Sequence, residues 1–451
     1  MPTVFTFQRY SLLGVLGSVF IAIQLLTMPS LFASSAPQLR SKLAALSGFL
    51  TQIENKHPRL KADQAGLKAA QALTQAASSP LYNPELELDV ERVGFGSNRE
   101  DAATIGINQT IDWHDKRSAR KNIAVSQQQV TKYESDVTRQ QLIGSIFSEL
   151  ANYQVQQEIL RAHGKRLQLT KQIFAQATRL YKAGDISKLN LEQVSLSHVQ
   201  TQLALNQAKV KLVATSRTLV SVAGVDLKKW PSLPYAPPTM RPVTLNYTQI
   251  SNDLPSLKAA QSRVVVARNT MRLRVREQKP DPTIGLKAGG EDSNKVVGLT
   301  LSIPLHLRNN FSAGVDEARS NVKRAEALLE NSQHQSLSRL KSAAQTYHLT
   351  YTGWQSWTKI AGNSLQKQSY LLMRLWKAGE VSTSDYLLQL NQIREVELNQ
   401  VKLKGNVWKA WFDWLSVSNQ FRQWLDGKAA THTGMHTGTH TRIEIKNDTN
   451  K

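Results

Sequence analysis

The chain has 451 residues, no cysteine, and 56 Lys+Arg against 34 Asp+Glu, a formal net charge of +22. Without cysteine there are no disulfides, no thiolate metal ligands and no lipidated N-terminal cysteine. Such a basic surplus usually points to anionic partners, but no tract of five or more cations occurs and the positive residues are spread along helical stretches, which speaks against nucleic acid. An aromatic fraction of 7% is low for one thick core and suits a thin, extended helical architecture.

Residues 1–36 read as a signal peptide. Arg9 precedes an apolar run from Ser11 to Leu26, and Ala33-Ser34-Ser35-Ala36 offers small residues for cleavage. The same run is near the minimum for a single membrane-anchoring helix, so that alternative stays open. From Pro37 to about Ser79 the pattern is helical, and Pro80 with Asn83-Pro84 stops it. Glu85 to Glu91 then alternates strictly: Leu86, Leu88 and Val90 on one face, Glu85, Glu87, Asp89 and Glu91 on the other. A second strand over Thr104–Trp113, with Ile105, Ile107, Ile111 and Trp113 on one face, completes a hairpin.

From Lys116 to Tyr181 no proline interrupts 66 residues of polar helical pattern, about 100 Å of helix at 1.5 Å per residue. Beyond Gly184, Leu189, Leu196, Leu203 and Val210 recur every seven residues with Val199, Val213 and Val220 between them, which predicts a coiled-coil seam. The helix ends near Gly224, and a proline-bearing linker (225–250) leads to a second unit (251–426) with the same plan. That unit predicts a helix over Asn252–Glu277, strands at Thr283–Ala288 and Val297–Ile303, one long helix from Ser312 to the Gly379 turn, and a return helix to about Leu425. A low-complexity tail (427–451) follows and predicts disorder; His432, His436 and His440 recur every four residues there and form a candidate site for zinc, copper or nickel, or a solvated tail with no role.

The second unit is a repeat of the first (37–224). Tyr181-Lys-Ala-Gly-Asp-Ile-Ser187 returns as Trp376-Lys-Ala-Gly-Glu-Val-Ser382, an offset of 376 − 181 = 195 residues. The phrases at His57-Pro58, Asn83-Pro84 and Gly106 return in order at Leu254-Pro255, Asp281-Pro282 and Gly298. Each copy of the first phrase reads as the tip of a helical hairpin, with glycine supplying the reversal.

Four strands cannot hide their own edges, and in lipid a spanning sheet must close into a barrel. The smallest spanning barrels have about eight strands, so closure needs several copies, and three give twelve strands. The paired tips, the Asn83-Pro-Glu-Leu and Asp281-Pro-Thr-Ile-Gly-Leu phrases and the duplicated helix–hairpin–helix plan together resemble the TolC-like outer-membrane efflux channel family, over about residues 37–425. Ser302–Asn310 and Gln109–Arg117 are similar to phrases of its heavy-metal cation efflux branch; the second departs from it at Thr110 and at His114-Asp115.

The resemblance implies a mainly α protomer with a small β part, closing as a homotrimer with a twelve-stranded barrel in the outer-membrane lipid and a helical tunnel in the periplasm. It implies a periplasmic adaptor protein and an inner-membrane pump of the resistance-nodulation-division type as partners, and divalent metal cations as cargo. A drug-efflux or type I secretion duct is the alternative within the family, and a non-conducting coiled-coil protein the alternative outside it. It further implies adaptor contacts at Gly184, Asp185, Gly379 and Glu380, and a pore constriction at Asp385 with Asn190 in the equivalent place. Asp385 reads equally as a carboxylate stabilising its own helix N-terminus. Glu85, Glu87, Asp89 and Glu91 would line the barrel lumen. No catalytic motif or cofactor site is found, and no enzyme activity is expected.

Overall fold

The computed structural model describes residues 35–93, 100–240, 245–291, 294–361 and 364–427. Nearly all of the signal segment and the whole histidine run lie outside them. Ten helices and four strands are seen among the described residues: α1 (Ser35–Lys56), α2 (Pro58–Ser78), β1 (Glu85–Val93), β2 (Glu100–Thr110), α3 (Lys116–Ala183), α4 (Lys188–Ala223), α5 (Tyr247–Asn252), α6 (Pro255–Glu277), β3 (Thr283–Glu291), β4 (Asn294–Ser302), α7 (Ser312–Ala361), α8 (Ser364–Lys377), α9 (Thr383–Ser418) and α10 (Phe421–Leu425). The protomer is mainly helical with a small antiparallel sheet, as the sequence predicts.

Several boundaries differ from the sequence reading: β2 begins at Glu100, β3 ends at Glu291, β4 spans Asn294–Ser302, α6 follows a separate short α5, and the return helix is divided into α9 and α10. The first helical stretch is two helices, because Pro58 begins a new one and the His57 ring caps it, Nδ1 accepting from the Arg59 amide at 3.1 Å. The second strand ends at Thr110 instead of Trp113, because Asp112 turns to serve α3: its two carboxylate oxygens accept the Lys116 and Arg117 amides, each at 2.7 Å. The helix expected from Ser312 to the second tip is seen as α7 and α8, and residues 362 and 363 between them lie outside the described residues.

The uninterrupted α3 is 68 residues long, about 100 Å. It carries α2 and α6 along the half near the sheet and α4 along the half near the tips, while α9 packs on α3, α7 and α8. On α4 the period is heptad but the face is not the one expected. Val194, Thr201, Ala208 and Thr215 are buried, whereas Leu189, Leu196, Leu203 and Val210 are exposed. Residues 194 and 196 lie 200° apart at 100° per residue, so α4 has two opposed heptad faces. Small and β-branched side chains take the intrachain contact because they allow close approach, and the leucine face has no partner among the described residues.

The aromatic content is low but concentrated. Trp411, Trp414 and Phe412 of α9 are fully buried with Phe147 of α3 and Tyr347 of α7, and Phe49 of α1 and Trp424 of α10 pack on the same knot. A second, smaller cluster of Ile173, Ala177, Val194, Leu372, Trp376, Tyr386 and Leu390 lies near the tips.

Candidate functional site

The sheet is a four-stranded meander, β1-β2-β3-β4, in which β2 and β3 join the two repeats. Directly opposed residues share a face, so the register sorts every side chain. One row runs Leu86, Ile107, Leu286, Leu299 and the next Leu88, Ile105, Ala288, Val297. All of the large apolar residues in these rows are exposed in the protomer. On the other face Glu85, Glu87, Asp89 and Glu91 oppose Asn108, Gly106, Thr104 and Ala102 of β2. Among the described residues nothing covers either face, and β1 and β4 leave open edges.

The acidic face also holds a cation that the sequence reading missed. Lys287 lies in the Glu87 row between Gly106 and Gly298, and a Cβ added at either glycine would stand 3.4 Å from the Lys287 side chain. Its place in the odd-numbered series with Thr283, Gly285 and Gly289 was readable by parity. Across the first hairpin, the Asn108 amide donates to Glu87 at 2.6 Å.

A buried strut connects sheet to helices. Lys116 Nζ donates to Asp281 Oδ2 at 3.0 Å and to the Lys279 carbonyl at 2.7 Å, and the Tyr82 hydroxyl donates to the same Oδ2 at 2.8 Å. Burial, and then the hydrogen bond to Asp281, push the Tyr82 phenol up to about 12. His114, one of the departures from the cation-efflux phrase, brings Nδ1 to 3.9 Å from Asp281 Oδ1.

At the far end both tips close by the same hydrogen bonds. Gly184 (φ +85) donates to the Tyr181 carbonyl and Asp185 to Leu180; Gly379 (φ +76) donates to Trp376 and Glu380 to Leu375. This 6→1 and 5→2 pair is the Schellman arrangement, which needs a left-handed residue at each glycine. The second tip is tighter: Trp376 stacks on Tyr386 at 4.8 Å and is buried, while Tyr181 in the equivalent place is exposed. Ser382 caps α9, the Asp385 amide donating to Ser382 Oγ at 3.1 Å and that hydroxyl donating to Asp385 Oδ2 at 2.7 Å. Asn190 makes the backbone half of the same cap with Ser187 at 3.2 Å. Asp385 is therefore engaged with its own helix, and Ser384 Oγ donating to Gln193 Oε1 at 2.9 Å joins the two tips. Among the described residues no cluster of three or more His, Asp or Glu could hold a metal ion, and no helix is long and apolar enough to cross a membrane.

Residues 49–225 match the outer membrane efflux protein family. The whole fold has solved counterparts, with 83% of this chain superposing on 92% of CusC at a TM-score of 0.69 and 14% identity. The fold is that of the TolC-like outer-membrane efflux channels. CmeC, the outer membrane channel of Campylobacter jejuni, aligns over 84% of this chain and 89% of its own at a TM-score of 0.68 and 13% identity. The outer membrane protein VceC of Vibrio cholerae aligns over 83% and 96% at 0.68 and 15%. No curated protein matches at the level of sequence. The sheet lies at one end of α3 and the tips at the other, with the aromatic knot between them.

Proposed function

We propose that this protein is the outer-membrane exit duct of a tripartite efflux system. Three copies join β4 of one protomer to β1 of the next in a twelve-stranded barrel, and their helices form one tunnel in the periplasm. The observation that carries this reading is the sheet: two open edges, and an apolar face that only lipid or another protein could cover. The free leucine face of α4 supports it, since a tunnel wall needs helices that pack on both sides.

The tips at Gly184–Asp185 and Gly379–Glu380 would receive the periplasmic adaptor, behind which stands an inner-membrane pump of the resistance-nodulation-division type. The ring at Asp385 and Asn190 would be the narrowest point; the Asp385 carboxylate must leave the Ser382 hydroxyl to face the pore. The acidic barrel face and the likeness of Ser302–Asn310 to the cation-efflux branch favour divalent metal cations as cargo, with CusC among the similar structures. His432, His436 and His440 would gather the metal near the duct. The protein conducts and does no chemistry on its cargo.

The test combines mass and conductance. Purified protein should scatter light as a trimer and give stepwise currents in planar bilayers; a monomer, or bilayers without steps, overturns the duct. Cells lacking the protein should accumulate zinc, copper or nickel, and deletion of the tail after Gly427 should lower resistance to one of them while leaving the trimer intact. Unchanged metal content would turn the reading toward drug or protein export.

A further inference from the structure

The apolar face of the sheet continues past its last hydrogen bond. On β4 the ladder stops at Ser302, but Val297, Leu299, Leu301, Ile303, Leu305 and Leu307 occupy every second position without a break. The residues beyond the ladder are as open as those within it: Leu305 is 73% and Leu307 86% exposed, against 83% for Leu299. Trp113, at the other strand-to-helix joint, is 70% exposed. A joint bathed in water gains nothing from bare leucines and an indole.

Dimensions say what they are for. The paired apolar rows, from the Val90 row to the Leu301 row, span three steps of two residues, about 20 Å along the strands. Tilted by about 40°, that is roughly 15 Å of height, against an apolar band of about 25 Å around membrane barrels. From Leu301 to Leu307 the chain can add up to about 20 Å, roughly 15 Å when tilted, which makes up the shortfall. The leucines are also held outward. His306, between them, has Nδ1 at 2.9 Å from the Gln278 carbonyl and its ring against Phe311 at 4.9 Å.

Resting on the duct reading, we propose that the two strand-to-helix joints form a collar seated in the phospholipid interface on the helix side of the membrane. Leu305, Leu307 and Trp113 enter the boundary of the hydrocarbon, and Arg117 and Arg308 meet headgroup phosphates. Both arginines are exposed and have no ion pair among the described residues. The collar continues the lipid-facing surface by side chains where the sheet itself is too short.

A chain without cysteine makes the test direct. Single cysteines at Leu299, Leu305, Leu307 and Asn309 are spin-labelled in the full-length protein, reconstituted into phosphatidylethanolamine–phosphatidylglycerol vesicles. Collision with oxygen should exceed collision with a water-soluble nickel chelate at 299 and 305, fall to comparable values at 307, and reverse at 309. Labels at 305 and 307 that behave like 309 overturn the collar. Labels shielded from both reagents overturn it too, by placing the joint against a second copy. Position 299 separates the two readings: if it sees lipid while 305 and 307 do not, only the collar falls; if 299 itself is aqueous, the duct falls with it.

Discussion

Lys116 and Asp281 are charged groups that the fold takes out of water, with side-chain exposures of 9% and 4%. Breaking such a pair from one side leaves the other charge buried and alone, which typically costs about 3–5 kcal/mol. Lys116→Met should therefore lower the thermal stability of the sheet–helix joint sharply, and the double variant with Asp281→Leu should recover most of the loss, measured as paired melting curves. Equal melting of the single variant and the parent would mean that the pair is not buried in the assembled protein. The tip glycines show a different kind of constraint. A Cβ at Gly379 would meet no atom within 4 Å, so space does not forbid it; the positive φ of 76° does. Leaving glycine costs about 1–2 kcal/mol there and more for a β-branched side chain. Gly379→Val should leave trimers in the membrane but reduce efflux, read as loss of metal or drug resistance, because only the tip is re-shaped. Full resistance would remove the tip from adaptor binding.

At the scale of elements, α4 is the clearest case of a helix whose most apolar stripe is not its intrachain seam. Its outward face carries Leu196 and Leu203, each more than half exposed in the protomer. Charging both, as Leu196→Lys with Leu203→Lys, should leave helix content by circular dichroism unchanged while shifting the detergent complex from trimer to monomer by light scattering. A trimer of unchanged mass would assign that face to something other than a neighbouring copy. The tips differ in the same spirit. The second is anchored by the buried Trp376 and the first leaves Tyr181 exposed, although the two phrases match position by position.

For the whole molecule, the net charge of +22 is a poor guide to what the barrel would select. In the proposed trimer three copies would place 3 × 4 = 12 carboxylates from Glu85, Glu87, Asp89 and Glu91 on one face together with three Lys287, and a permeating ion would meet that local field. Reversal potentials should show cation preference, weakened by Glu87→Gln with Asp89→Asn and strengthened by Lys287→Met. Anion preference that survives removal of the acids would place these residues outside the lumen.

Local rules made much of this legible from sequence. Strict alternation gave away which side chains of β1 and β4 share a face, because the period of two is a property of any strand. A proline-free run of 66 residues announced a helix of about 100 Å, and the repeated Lys-Ala-Gly phrase announced two tips, because only glycine readily takes the left-handed turn. What stayed hidden depends on residues far apart in the chain. The Lys116–Asp281 strut joins positions 165 residues apart, and the β2–β3 ladder joins the two repeats. The choice of the Val194–Thr201–Ala208 face of α4 for α3 depended on how closely two backbones could approach. Hydrophobicity ranks faces by what they gain on leaving water, but packing decides which face fits which neighbour, and the neighbour exists only once the chain has folded.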